Sequence, residues 1–209
     1  MKREAEVKEL LINNTIRLIA EGGFEKATVK EITKCGGDLP DVKMNEVYIY
    51  RIFGGKENLY RAVFARLDSD LFYKMRSAYD AAVADETAPS FREKVVKFFE
   101  HSWKFIMGHE ANCRCYVRYY YSVYFCGASQ ETHHHHFENI SSKASVLFKD
   151  EADVGAILHS VFTALLSFAI QAYNGDLEDN EINRPHIFNV LYCMMATYFK
   201  DDLSGVKLL

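Results

Sequence analysis

Residues 23–32 read Gly23-Phe24-Glu25-Lys26-Ala27-Thr28-Val29-Lys30-Glu31-Ile32, and residues 49–59 read Ile49-Tyr50-Arg51-Ile52-Phe53-Gly54-Gly55-Lys56-Glu57-Asn58-Leu59. Thr28 with Glu31 three positions later has capping-box spacing: the hydroxyl accepts the Glu31 amide while the carboxylate reaches back to the cap. Between the two stretches, Gly36-Gly37-Asp38-Leu39-Pro40-Asp41 is a turn cluster that ends the first short helix. A second short helix over about 44–53 sets Val47, Tyr50 and either Ile49 or Phe53 toward a core, and Gly54-Gly55 closes it. Upstream, Val7, Leu10, Leu11, Leu18 and Ile19 recur at helical spacing and Gly22-Gly23 stops them. Downstream, Leu59, Val63, Leu67, Leu71 and Met75 stripe a long helix over about 56–84. Two short helices joined by a turn, with a helix before and a long one after, make a helix-turn-helix arrangement.

The remaining chain keeps the helical period. Ser90 and Glu93 form a second capping box, opening a helix through Val95, Phe98, Phe99, Trp103 and Ile106 to Gly108. Residues 110–126 are rich in tyrosine. A polar link from Ala128 through His133, His134, His135 and His136 leads to a helix expected over 136–148. Asp150 is expected to cap a long apolar helix ending at Asn174-Gly175, and Pro185 suits the first turn of a last helix. No segment shows a convincing strand period, and no internal repeat is present. The fold class is all-α, with a three-helix head over 1–55 and a second helical domain over 56–209.

Composition agrees. Of 209 residues, 49% are hydrophobic and 26% charged, with a net charge of −4, which excludes a mainly disordered chain. With 11 Gly and 3 Pro, turn-forming residues are scarce, which favours helices. The N-terminus lacks a signal-peptide pattern. The apolar run 161–172 is interrupted by Thr163, Ser167 and Gln171 and reads as too short to cross a bilayer, so no membrane partner is expected. Five cysteines without framework spacing read as reduced thiols, which suggests the cytoplasm. Residues 1–64 hold 11 Lys and Arg against 10 Asp and Glu, whereas residues 65–209 hold 14 against 19. A polyanionic partner is therefore better tolerated by the first third.

The two quoted stretches resemble the tetracycline-repressor (TetR) family of bacterial transcription regulators. The shared signature is a Gly-aromatic pair, a small residue and Thr opening helix 2, then Tyr-x-x-Phe-x-x-Lys-Glu-x-Leu. It covers about residues 10–64, with Tyr50 to Leu59 the most specific part. The resemblance implies double-stranded DNA as partner, a homodimer, a small-molecule effector of unspecified identity, and no cofactor. Repressor rather than activator follows from family habit.

Carried over residue by residue, Thr28 lies where a helix N-terminus can meet a phosphate, Tyr50 matches the family tyrosine that reaches the DNA backbone, and Lys56 matches the lysine that opens helix 4. Asn45, Glu46 and Tyr48 occupy the recognition-helix positions that meet base edges: Asn pairs with adenine, Glu accepts from cytosine, and Tyr meets a thymine methyl. The chain departs from the family in the turn, where Ile32 to Tyr50 is about six residues longer than usual. The insertion lies within 36–43 and is expected either to add a loop that touches the DNA backbone through Lys43 or to tilt the recognition helix and alter its operator. The recognition helix is also poor in base-reading Arg or Lys, so affinity is expected to lean on phosphate contacts and to be salt-sensitive.

Phe99, Trp103, Tyr116, Tyr119, Tyr120 and Phe125 are candidate effector-pocket walls, because aromatic bodies with polar tips suit a mostly apolar cavity. The same spacing also suits plain core. Phe162, Leu165, Leu166, Ala169, Leu191, Met194, Met195 and Tyr198 form the candidate dimer face, although they too could pack within one subunit. His133, His134, His135 and His136 are weak metal candidates, since imidazoles ligate zinc, nickel or copper but adjacent residues in a loop chelate loosely. A metal-responsive regulator using this run, and a helical dimeric interaction module without DNA binding, are the alternatives. The chain has no nucleophile elbow, phosphate-binding glycine loop or HExxH pattern, so no catalysis is expected.

Overall fold

The computed structural model describes residues 2–34, 45–201 and 203. Cys35 and the lengthened turn with Lys43 lie outside the described residues. Among the described residues the order is α1 Lys2–Lys26, α2 Val29–Lys34, α3 Val47–Phe53, α4 Lys56–Ala84, α5 Phe91–Met107, α6 Glu110–Tyr120, α7 Ala128–Ala144, α8 Val154–Asn174 and α9 Asn183–Ala196. The β pairing among them is one isolated bridge, Phe148 to Phe199. The molecule is all-α.

Packing groups the chain into two compact units, residues 1–70 with 109–131, and residues 71–108 with 132–209. In the first, α1 packs against α2 and α6. Val7, Leu11, Leu18 and Ile19 are buried along α1, as their spacing requires, and Leu10 is half-buried. Helical structure continues past Gly22-Gly23 to Lys26, with a kink at Gly23, where φ is 75° and ψ −172°. A side chain there would be strained, and its Cβ would lie 3.2 Å from the Arg118 guanidinium. Phe24, just after the kink, meets the rings of Tyr60 at 5.1 Å and Tyr124 at 4.7 Å. The buried Tyr60 hydroxyl donates to the Ala27 carbonyl at 2.7 Å, and Asn14 donates to the Ile32 carbonyl at 3.0 Å. Burial, with the Tyr124 phenol adding, pushes the Tyr60 phenol up to about 12 and keeps it a donor. The Asn14 bond pins α2 to α1, and the Tyr60 bond holds the short link between them against α4.

In the second unit, α5, α8 and α9 pack on one another. The Ser90–Glu93 capping box forms in both directions: the Glu93 amide donates to Ser90 Oγ at 3.2 Å, and the Ser90 amide donates to the Glu93 carboxylate at 2.9 Å. The Asp179 carboxylate gathers Trp103 Nε1 at 2.9 Å and Arg184 Nε at 2.5 Å, tying the α8–α9 connection to α5.

Several expectations change. The cap of α8 is Asp153, whose Oδ1 accepts the Ala156 amide at 2.9 Å, rather than Asp150. The histidine run is not a polar link: all four residues lie inside α7, which ends at Ala144 and passes into a 3-10 turn over Ser145–Leu147. A helix has sides, and so the phase of the run buries His133 and exposes His134 and His135. The run 161–172 is the middle of a 21-residue helix that is long and apolar enough, by length and composition alone, to cross a membrane. Its buried side, Val161, Phe162, Leu165, Leu166 and Ala169, is used within the second unit.

Candidate nucleic-acid interface

The sequence of α3 is VYIYRIF, and of its seven residues Ile49 is fully buried while Tyr48, Ile52 and Phe53 are half-buried. At about 100° per residue, Ile49 points inward, Val47 and Arg51 point away from it, and Tyr48 and Tyr50 stand on opposite flanks. Val47 is 65% and Tyr50 58% exposed. Packing inside the chain thus uses one side of α3 and leaves the other to water.

The ends of α3 are fixed locally. Asn45 Oδ1 accepts the Val47 amide at 3.1 Å, and the Tyr48 amide donates to the Asn45 carbonyl at 3.2 Å. This engages the Asn45 side chain in starting the helix, in competition with the adenine contact expected of it. Glu46 is the exposed cap residue and makes no side-chain cap bond. Gly54 closes α3 in the left-handed region at φ 76°, with its amide donating to the Tyr50 carbonyl at 2.9 Å.

Elsewhere in the first unit, Thr28 is exposed and its Oγ accepts the Glu31 amide at 3.2 Å, so the expected cap forms. The Glu31 carboxylate pairs with Lys34 at 2.6 Å, which holds its carboxyl below the ordinary range. Lys56 opens α4 half-buried, with its ammonium 5.6 Å from the Tyr60 ring centre. A cation at a helix N-terminus adds to the partial positive charge of the unpaired amides there. Thr28, Asn45, Glu46, Tyr48, Tyr50 and Lys56 all belong to the first unit. Sequence reasoning passed over Arg51, which is exposed and has its guanidinium carbon 4.7 Å from the Tyr48 ring centre. The signal was available as an aromatic–Arg pair three residues apart on one helix.

The pocket candidates fall into two clusters. Tyr116, Tyr119, Tyr120 and Phe125 come together in the first unit: Phe64 stacks on Tyr116 at 5.2 Å and Tyr119 at 4.5 Å, and Tyr120 meets Phe125 at 4.6 Å. The Tyr116 hydroxyl donates to the buried Asp68 carboxylate at 3.0 Å. Phe99 and Trp103 lie in the second unit, both against Phe188. The second unit also holds a ring cluster that the sequence did not suggest. In it Phe72, Phe137 and Phe162 surround the buried His133, with His136 on Phe72 and His159 on Phe137. Among the described residues no three His, Cys, Asp or Glu side chains are grouped to hold a metal.

Of the dimer-face candidates, Phe162, Leu165, Leu166, Ala169, Leu191 and Met195 are buried within the single chain, Met194 is half-buried, and Tyr198 is exposed. The outer sides of α8 and α9 instead present Ala156, Ser160, Ser167, Val190 and Cys193, with Tyr198 exposed just after α9.

The fold is shared with solved structures. A TetR-family transcription regulator from Marinobacter aquaeolei VT8 superimposes with a TM-score of 0.71 at 14% identity, over 93% of this chain and 98% of its own. A TetR-like transcriptional regulator from Rhodococcus sp. RHA1 gives 0.60 at 16% identity, over 95% and 96%. The multidrug binding protein EbrR, complexed with imidazole, gives 0.62 at 12% identity, over 90% and 93%. No family model and no curated protein matches the sequence. The chain has the fold of the TetR-family transcription regulators.

Proposed function

We propose that this chain is a sequence-specific DNA-binding transcription regulator, with the reading head over 1–55 and an effector-binding, dimerising domain over 56–209. The observation that carries it is α3: the buried Ile49 anchors the helix, Val47 and Arg51 face away from it with the exposed Tyr50 on a flank, and Thr28 and Lys56 belong to the same unit. A short helix held from one side and offered from the other is what major-groove reading requires. The TetR-type fold supports the same reading.

The protein acts as a cytoplasmic homodimeric repressor without catalysis, and a small molecule bound in the second domain lowers operator affinity through linkage. EbrR, of the same fold, is a ligand-binding protein. The ring cluster of Phe72, His133, Phe137, His159 and Phe162 lies in the second unit with Phe99 and Trp103 and is a candidate wall for that effector, while Tyr116, Tyr119, Tyr120 and Phe125 of the first unit form a separate candidate. Aromatic faces supply contact area and imidazoles supply directional polar groups. Burial, then His133 and His134, hold the His159 imidazole below its ordinary value, so it is neutral near pH 7.

Selection from a random duplex library tests the reading. The wild type is expected to enrich one motif, and Tyr50→Ala and Lys56→Ala to bind it about tenfold more weakly with unchanged melting temperature. A helical interaction module would enrich nothing and show no effect of either substitution.

A further inference from the structure

We infer that Arg51, laid over the Tyr48 ring, reads a guanine in the operator. The inference rests on the regulator reading and names which base it selects and by which residue. Three observations converge. Arg51 is the one cation in α3, and it stands opposite the buried Ile49, at the middle of the outward side rather than on a flank. Tyr50 on the flank is placed for the backbone wall of a groove, whereas the middle of the outward side meets the groove floor. Secondly, the guanidinium lies 4.7 Å from the Tyr48 ring centre, one turn earlier in the helix. Arg51 therefore leans toward the N-terminal end of α3, the end that faces base edges when such a helix docks. Thirdly, two of the three other expected base readers are engaged and only Glu46 makes no cap bond: the Asn45 side chain accepts the Val47 amide, and the Tyr48 face carries the guanidinium.

The chemistry then selects the base. A guanidinium presents two parallel N–H donors, which match the N7 and O6 acceptors that guanine shows in the major groove. Stacking on a ring fixes the plane of the fork before binding and reduces the side-chain freedom lost on docking. Tyr48 is a positioning residue that acts through Arg51, so its ring matters and its hydroxyl does not.

The test is motif selection followed by affinity measurement with wild type, Arg51→Ala, Arg51→Lys, Tyr48→Phe and Tyr48→Ala, each checked by thermal melting. Wild type is expected to require guanine at one motif position, and Arg51→Ala to lose about ten- to hundredfold on that motif while accepting any base there. Arg51→Lys retains part of the affinity and less of the discrimination. Tyr48→Phe behaves as wild type, and Tyr48→Ala weakens the guanine preference while leaving the other positions unchanged. Replacing that guanine by 7-deazaguanine weakens wild type and leaves Arg51→Ala unaffected. A uniform loss across all sequences for Arg51→Ala, with an unchanged motif, overturns the inference and makes Arg51 a phosphate contact. A wild type that enriches no motif overturns the regulator reading itself, and this inference with it.

Discussion

At the scale of single residues, the head is held by a few polar bonds inside an aromatic cluster. Tyr60→Phe keeps the ring among Phe24 and Tyr124 but removes the donor to the Ala27 carbonyl. Leaving that buried acceptor unpaired is expected to cost about 1–3 kcal/mol, read as a lower melting midpoint. Thr28 and Ser90 were legible as caps because a capping bond spans three residues, and both form. His133 was not legible as a core residue, because four identical neighbours carry no phase; the helix supplies it by turning His133 onto Phe137 and Phe162. Arg51 was legible in spacing and missed, since a helix containing one cation reads as poor in base contacts until its outward side is known.

At the scale of elements, helix positions were largely readable and their ends less so. The starts of α4 and α5 follow from a glycine pair and a capping box, which are local signals. The start of α8 shifted from Asp150 to Asp153 because either aspartate satisfies the pattern, and only the fold decides which amide is in reach. The tie between the α8–α9 connection and α5 was invisible, since Trp103 and Asp179 are 76 positions apart. This tie makes a pH prediction. The hydrogen bond from Arg184, then that from Trp103, holds the Asp179 carboxyl below its ordinary 3.8. A carboxylate depressed in the folded state stabilises above its unfolded value and loses that contribution as pH falls through its folded value. Asp179→Asn is therefore expected to lower the melting temperature at pH 7 and to narrow the gap from wild type as the pH drops below about 4. A gap constant from pH 7 to pH 3 would show that the charge contributes nothing.

At the scale of the whole molecule, the all-α class was readable because a 3.6-residue period needs no long-range information, whereas the assignment of stripes to core or interface was not. Six of eight residues named for a dimer face are buried inside one chain, because an apolar stripe looks the same whichever surface covers it. The outer sides of α8 and α9 then become the dimerisation proposal. Val190→Glu, at a position 48% exposed, is expected to convert a dimer to a monomer in light scattering without unfolding it. A monomeric wild type would refute that face. If the head grips DNA through its phosphates and reads sequence with α3, affinity for the selected duplex across a salt series registers both contributions. Log affinity is expected to fall linearly with log salt, Lys56→Ala to make the slope shallower by about 0.9, and a scrambled duplex to bind far more weakly at every salt concentration. Equal binding of selected and scrambled duplexes, or no binding at low salt by a fully helical protein, would contradict that mode of binding.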